Sequence, residues 1–186
     1  MMEPTVALGG RMKVSSAKAG ELKRALNETG WLGQEVLAAG YFRQGKTPSV
    51  AAMITGAALI EMLRPRRSKL LPRQFVLAAT KDRLVAFKAG AVGIGEQTDL
   101  NYHYEVRINP GEQGSFPRAD VILTDLAKGI KSEGGTLVIG TERIPIVRQS
   151  SRGDPNTDEL VELLAGPALE EPANKVDGGA AEHDLE

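Results

Sequence analysis

Eight residues, Gly40-Tyr-Phe-Arg-Gln-Gly45-Lys46-Thr47, carry the sharpest chemical motif in the chain. They match G-x-x-x-x-G-K-[ST], the loop whose backbone N–H groups cradle phosphates while its lysine reaches them and its hydroxyl binds Mg²⁺. Val121–Asp125 (VILTD) could imitate the acidic strand that completes such a site. On this reading the chain is a Mg-nucleotide-binding enzyme, with Gly40, Gly45, Lys46 and Thr47 as its phosphate ligands. Three features oppose it. Tyr41 and Phe42 are bulky where the loop must wrap, and Pro48 deletes an N–H beside the anion. The nucleotide fold also needs parallel strands joined by helices, whereas residues 74–148 read as hairpins and meanders. The nucleotide enzyme therefore stands as the alternative.

Other candidates for chemistry are thinner. Gly93-Ile-Gly95 lacks the third glycine of a dinucleotide fingerprint and opens no helix, so it reads as a loop. His103, between Tyr102 and Tyr104, has Glu96, Asp99 and Glu105 nearby in sequence that could pair with it, at a spacing that is not diagnostic of a base or metal site. The other histidine, His183, lies in the tail. The chain has no cysteine, which excludes disulfides, thiolate metal sites and a cysteine nucleophile and fits a reducing cytoplasm. No serine sits in a G-x-S-x-G elbow. The expectation is a non-catalytic protein with no catalytic residue, metal or cofactor.

Charge is more informative than its total of −1. Residues 167–186 hold six acids (Glu170, Glu171, Asp177, Glu182, Asp184, Glu186) against Lys175, a charge of −5 that leaves +4 on the rest. Ten bases fall between Arg43 and Lys88, opposed only by Glu61 and Asp82. The densest part is the basic segment 64–73, with Arg64, Arg66, Arg67, Lys69 and Arg73. A concentration of this kind attracts an anionic surface, a phospholipid headgroup or a phosphate backbone. It lacks interleaved aromatics for stacking on bases, which ranks nucleic acid low. The acidic tail could fold back and screen it.

Just before this segment, Val50–Leu63 is almost wholly apolar, with only Thr55 and Glu61 polar. Thr47 and Pro48 suit the start of a helix and Pro65 its stop, so a helix is expected over 48–64. Fourteen residues make about 21 Å of helix, too short for a ~30 Å hydrocarbon core. A helix apolar on nearly all sides is buried in protein or in a membrane interface. Ala52 and Gly56, four apart, would also permit close approach of two such helices and hence a homodimer.

The elements that must position these groups follow from pattern. Ser15 or Ser16 would cap a first helix ending near Asn27, with Trp31 anchoring it to a sheet. Strands are expected at 34–43, 75–80, 83–89, 102–108, 120–126, 136–140 and 143–148. Lys81-Asp82 and Gly140–Glu142 make hairpin turns, while 90–95 and 109–117 read as loops. Thr157 or Asp158 would start a closing helix whose Leu160, Val161 and Leu164 form an apolar stripe. The result is one α+β domain over 15–166, between a flexible N-terminus (1–14) and a disordered acidic tail (167–186).

Gly33-Gln-Glu-Val-Leu-Ala-Ala-Gly40 and Phe75-Val-Leu-Ala-Ala-Thr-Lys-Asp-Arg-Leu-Val-Ala-Phe87 resemble the opening strand and the second and third strands of bacterial pleckstrin-homology-like (PH-like) domains, and Thr157–Leu164 resembles their closing helix. The resemblance covers roughly residues 15–165. It implies a strongly bent antiparallel sheet, a partly open barrel plugged by the C-terminal helix. It carries no catalytic set. Such domains bind proteins, peptides or membranes, so a cytoplasmic binding module is expected. Its apolar helix 48–64 and basic segment would meet a protein partner or the anionic inner face of a membrane.

Overall fold

The computed structural model describes residues 10–15, 19–45, 68–94, 103–128, 132–149 and 156–165. Their strands are β1 (Met12–Ser15), β2 (Ala38–Gln44), β3 (Gln74–Ala79), β4 (Arg83–Ile94), β5 (His103–Pro117), β6 (Val121–Lys128), β7 (Ser132–Ile139) and β8 (Glu142–Gln149). The helices are α1 (Glu21–Thr29) and α2 (Asp158–Leu164). The strands form one sheet in the order β1-β5-β4-β3-β2-β8-β7-β6, and all named pairs are antiparallel. The sheet is open, with β1 and β6 at its edges. The expected α+β class, dominated by an antiparallel sheet, is observed.

Alternation along the strands creates two cores. One set of faces puts Phe42, Phe75, Leu77, Leu84, Leu123, Leu137, Ile144 and Ile146 into a single cluster with Leu160, Val161 and Leu164 of α2. That cluster draws on β4, β3, β2, β8, β7 and β6, so this part of the sheet curves around α2. The opposite face of β2–β5 carries Tyr41, Val76, Ala78, Val85, Phe87, Tyr104 and Ile108, and it is covered by Leu22 and Leu26 of α1 and by Leu32 and Val36. Trp31 packs on this second core, its ring 5.8 Å from Phe87, where it holds α1 to the sheet as expected.

Several elements depart from the sequence reading. The sheet starts at Met12, and Ser15 ends a strand rather than capping a helix. Helix α1 begins at Glu21, and its cap arrives from far along the chain: Leu22 N–H donates to Asn156 Oδ1 at 3.1 Å. Residues 90–94 continue β4, so Gly93 lies in a strand and not in a loop. Residues 109–117 continue β5, despite two prolines. The β4–β5 register shifts between Ala86 and Ala89, opposite Ile108–Gly114, which lets the ladder bend and tolerate the extra residues. The hairpin turn at Lys81-Asp82 is as expected, closed by Thr80 N–H to the Arg83 carbonyl at 2.9 Å.

Candidate functional site

The phosphate-loop motif is a strand over its described part. Gly40–Arg43 pair antiparallel with β3, Gly40 opposite Leu77 and Arg43 opposite Gln74, and Gln44 lies opposite Ile146 of β8. The amides that would cradle phosphate are engaged elsewhere. Tyr41 N–H donates to Thr157 Oγ1 at 3.2 Å, Gln44 N–H to the Arg73 carbonyl at 2.9 Å, and Gly45 N–H to the Pro145 carbonyl at 2.9 Å. Gly40 is buried against α2. A Cβ there would stand 2.7 Å from Thr157 Cγ2 and 3.2 Å from Leu160 Cδ2, so this glycine serves close packing. Lys46 and Thr47 lie outside the described residues. The supposed metal strand is also misplaced. Asp125 sits on β6, three strands away from β2, in a left-handed conformation (φ 55°), and its carboxylate pairs with Arg143 at 3.1 Å.

The described residues of the basic segment belong to a more extensive arrangement. Gln44, the last residue of β2, uses its side-chain amide as a staple. Its Nε2 donates to the carbonyls of Ser68 (3.1 Å), Leu71 (2.6 Å) and Pro72 (3.2 Å), and its Oε1 accepts Ser68 N–H at 2.9 Å. Residues 68–72 are thereby held against the end of β2, with Leu71 buried in the first core and the Leu70 carbonyl close to Gly114 of β5. One glutamine therefore ties together the two ends of the stretch 46–67, which itself lies outside the described residues together with Arg64, Arg66, Arg67 and the expected helix 48–64.

Four cations lie at the stapled end of the β2–β3–β4 ladder. Lys69 follows Ser68, Arg73 precedes β3 and is bonded through its carbonyl to Gln44, Arg43 lies opposite Gln74, and Lys88 lies opposite Phe75. All four are exposed, and none has an acidic partner among the described residues. By contrast Arg24, Arg83, Arg107, Arg143 and Arg148 all stand within 4 Å of a carboxylate. Lys69 and Arg73 were expected site residues. Arg43 and Lys88 count among the ten bases in sequence; strand register places both at this end of the ladder, Arg43 on the face of Tyr41 and Lys88 on the opposite face with Phe75. The four charges are available to an anion.

A second polar cluster is closed inward. Arg148 on β8 lies opposite Glu133 on β7, and both are buried. The guanidinium donates through Nε (2.7 Å) and Nη2 to Glu133 Oε2, and through Nη1 to Asp158 Oδ1 at 2.5 Å. Burial pulls the Arg148 pKa down, but hydrogen bonds to Asp158 and Glu133 and the charges of both acids outweigh it, so the group is held above its ordinary value. Asn156, Thr157 and Asp158 thus bond to α1, β2 and β8 respectively, locking three elements onto the start of α2.

An open cleft of about 550 Å³ beside α1 is lined by Lys23, Arg24, Glu28 and Glu159, charges that largely answer one another. Among the described residues no group of three or more His, Asp or Glu side chains could hold a metal, and no helix is long and apolar enough to cross a membrane. Of the acids beside His103, Glu105 pairs with Arg107 at 2.7 Å, while Glu96 and Asp99 lie outside the described residues. No family model, curated protein or solved structure matches the chain.

Proposed function

We propose that this chain is a non-catalytic, PH-like binding module that docks on an anionic membrane surface through the basic corner of its sheet. The observation that carries this reading is that Arg43, Lys69, Arg73 and Lys88, exposed and without acidic partners among the described residues, lie at one end of the β2–β3–β4 ladder beside the Gln44 staple, Arg43 and Lys88 on its opposite faces. The strand order supports the PH-like part. A four-strand meander, β2–β5, and a three-strand meander, β6–β8, meet where β2 pairs with β8, and α2 packs into the bend. In this reading β1, α1 and the long β4–β5 ladder are additions outside that frame.

The magnitudes decide what the corner can do alone. A basic residue close to an anionic bilayer contributes about 1 kcal/mol, so four give about 4 kcal/mol, a millimolar association. Adding Arg64, Arg66 and Arg67 brings the sum to about 7 kcal/mol, on the order of 10 µM. The apolar stretch 50–63, which lies outside the described residues and whose pattern predicts a helix of ~21 Å, too short to span the bilayer, would supply the further affinity by lying in the interface. The module would then sit peripherally on the inner face of the membrane.

Co-sedimentation of the full chain with phosphatidylglycerol-containing and with purely phosphatidylcholine vesicles tests the reading. Binding is expected on the anionic vesicles at ~0.05 M NaCl, with a loss of tenfold or more at ~0.5 M. Equal binding to neutral vesicles, or none to either, would refute it.

A further inference from the structure

The described part of the chain ends at Ala165, which forms a parallel bridge with Leu123 on β6 directly after α2. The same helix rests on β2: Leu160 packs over Gly40, three residues before Arg43. Twenty-one residues follow Ala165, and they include the six acids. β6 and β2 are three strand spacings apart, about 14 Å, and the step from Gly40 to Arg43 adds about 10 Å. Twenty-one extended residues reach about 70 Å. The twelve residues from Ala165 to Asp177 can span about 40 Å, more than this separation, so the acids from Asp177 onward are within reach of the basic corner.

We infer that the acidic C-terminal segment 170–186 occupies the basic corner in cis. Charge complementarity picks this occupant. The segment brings a charge of −5 to four exposed cations that have no acidic partner among the described residues, whereas the charged cleft beside α1 is already neutralised by Lys23–Glu159 and Arg24–Glu28 pairs. A tether of this length holds its charges at an effective concentration of about a millimolar, the same range as the association expected for four exposed cations. The contact is thus strong enough to be populated and weak enough to yield to a surface of higher charge density. Its consequence, competition with an anionic surface, rests on the function proposed above, but the contact itself does not.

Zero-length carbodiimide coupling of the full chain, read by peptide mass spectrometry, tests the contact without any ligand. Lys69 and Lys88 are expected to form amide cross-links to carboxylates of residues 170–186. The yield should fall several-fold at ~0.5 M NaCl and exceed that at the exposed lysines Lys13 and Lys81. In an equal mixture of ¹⁴N- and ¹⁵N-labelled chains the linked peptides are expected to carry a single isotope. No enrichment at Lys69 and Lys88, or mixed-isotope links showing that a second copy supplies the acids, would overturn the inference.

The full chain carrying Glu170→Gln, Glu171→Gln, Asp177→Asn, Glu182→Gln, Asp184→Asn and Glu186→Gln then tests competition. It is expected to bind anionic vesicles about twofold more tightly than the parent at low salt, as when roughly half of the parent corners are occupied, and equally at high salt. Equal binding at low salt overturns the competition. Cross-links without vesicle binding by either chain uphold the contact and remove the membrane reading instead.

Discussion

Two regions of this molecule concentrate charge and hydrogen bonding, and they do so in opposite ways. At the junction of α1, β2, β8 and α2, three consecutive residues bond to three different elements, and the buried Arg148 is matched by two carboxylates. At the basic corner the hydrogen bonds run through the Gln44 and Gln74 amides, the Ser68 hydroxyl and backbone groups, while the four cations are exposed without acidic partners among the described residues. A buried polar group must find its partner inside the protein or cost several kcal/mol. An exposed charge carries no such obligation. Polar groups satisfied internally therefore mark where the fold is held, and charges gathered without partners mark where it can meet something else.

The contrast is sharpest where Arg148 is removed. Arg148→Met leaves Glu133 buried and uncompensated, so chemical denaturation is expected to show a loss of about 3–5 kcal/mol. Replacing both members, Arg148→Met with Glu133→Leu, should recover most of that loss, because the penalty belongs to the orphaned charge. A double variant no more stable than the single one would mean that the pair contributes shape and not charge balance.

Next in size is Gly40→Ala, which forces a methyl against Thr157 Cγ2 and should cost about 1–3 kcal/mol. Adding Thr157→Ser removes the opposing methyl and keeps the hydroxyl that accepts Tyr41 N–H, so part of the stability should return. If Gly40 instead served a phosphate, Thr157→Ser would rescue nothing. Asn156→Ala removes the remote cap of α1 and is expected to lower stability by about 1 kcal/mol. Nine residues are too few for α1 to stand as a helix alone, so amide exchange should rise first in its opening turn.

The sheet was legible in the sequence wherever the signal was local. The turn at Lys81-Asp82, the hairpin between β7 and β8, and the apolar stripe of Leu160, Val161 and Leu164 all come from neighbouring residues. What was missed depends on distant ones. Ser15 or Ser16 suggests a helix cap in the sequence, whereas Ser15 ends β1, Ser16 lies outside the described residues, and the side chain that bonds the start of α1, Asn156, is 134 residues from Leu22. Residues 109–117 looked like a loop because Pro110 and Pro117 are poor strand formers, yet β1 covers β5 only over 105–108, so these prolines lie where β5 has one ladder partner. The site was half legible. Lys69 and Arg73 belong to an obvious basic run, but Arg43 and Lys88 join them only through strand register, and Gln44 was concealed inside a motif that suggested phosphate chemistry.

The smallest expected effect on stability is at the basic corner, and there the largest effect on binding is expected. The full chain carrying Arg43→Gln, Lys69→Gln, Arg73→Gln and Lys88→Gln should unfold within about 0.5 kcal/mol of the parent, as exposed substitutions do. Removing about 4 kcal/mol of surface attraction should weaken its binding to anionic vesicles by up to about a thousandfold. A folded quadruple variant that binds those vesicles as tightly as the parent would contradict the assignment of this corner as the docking surface.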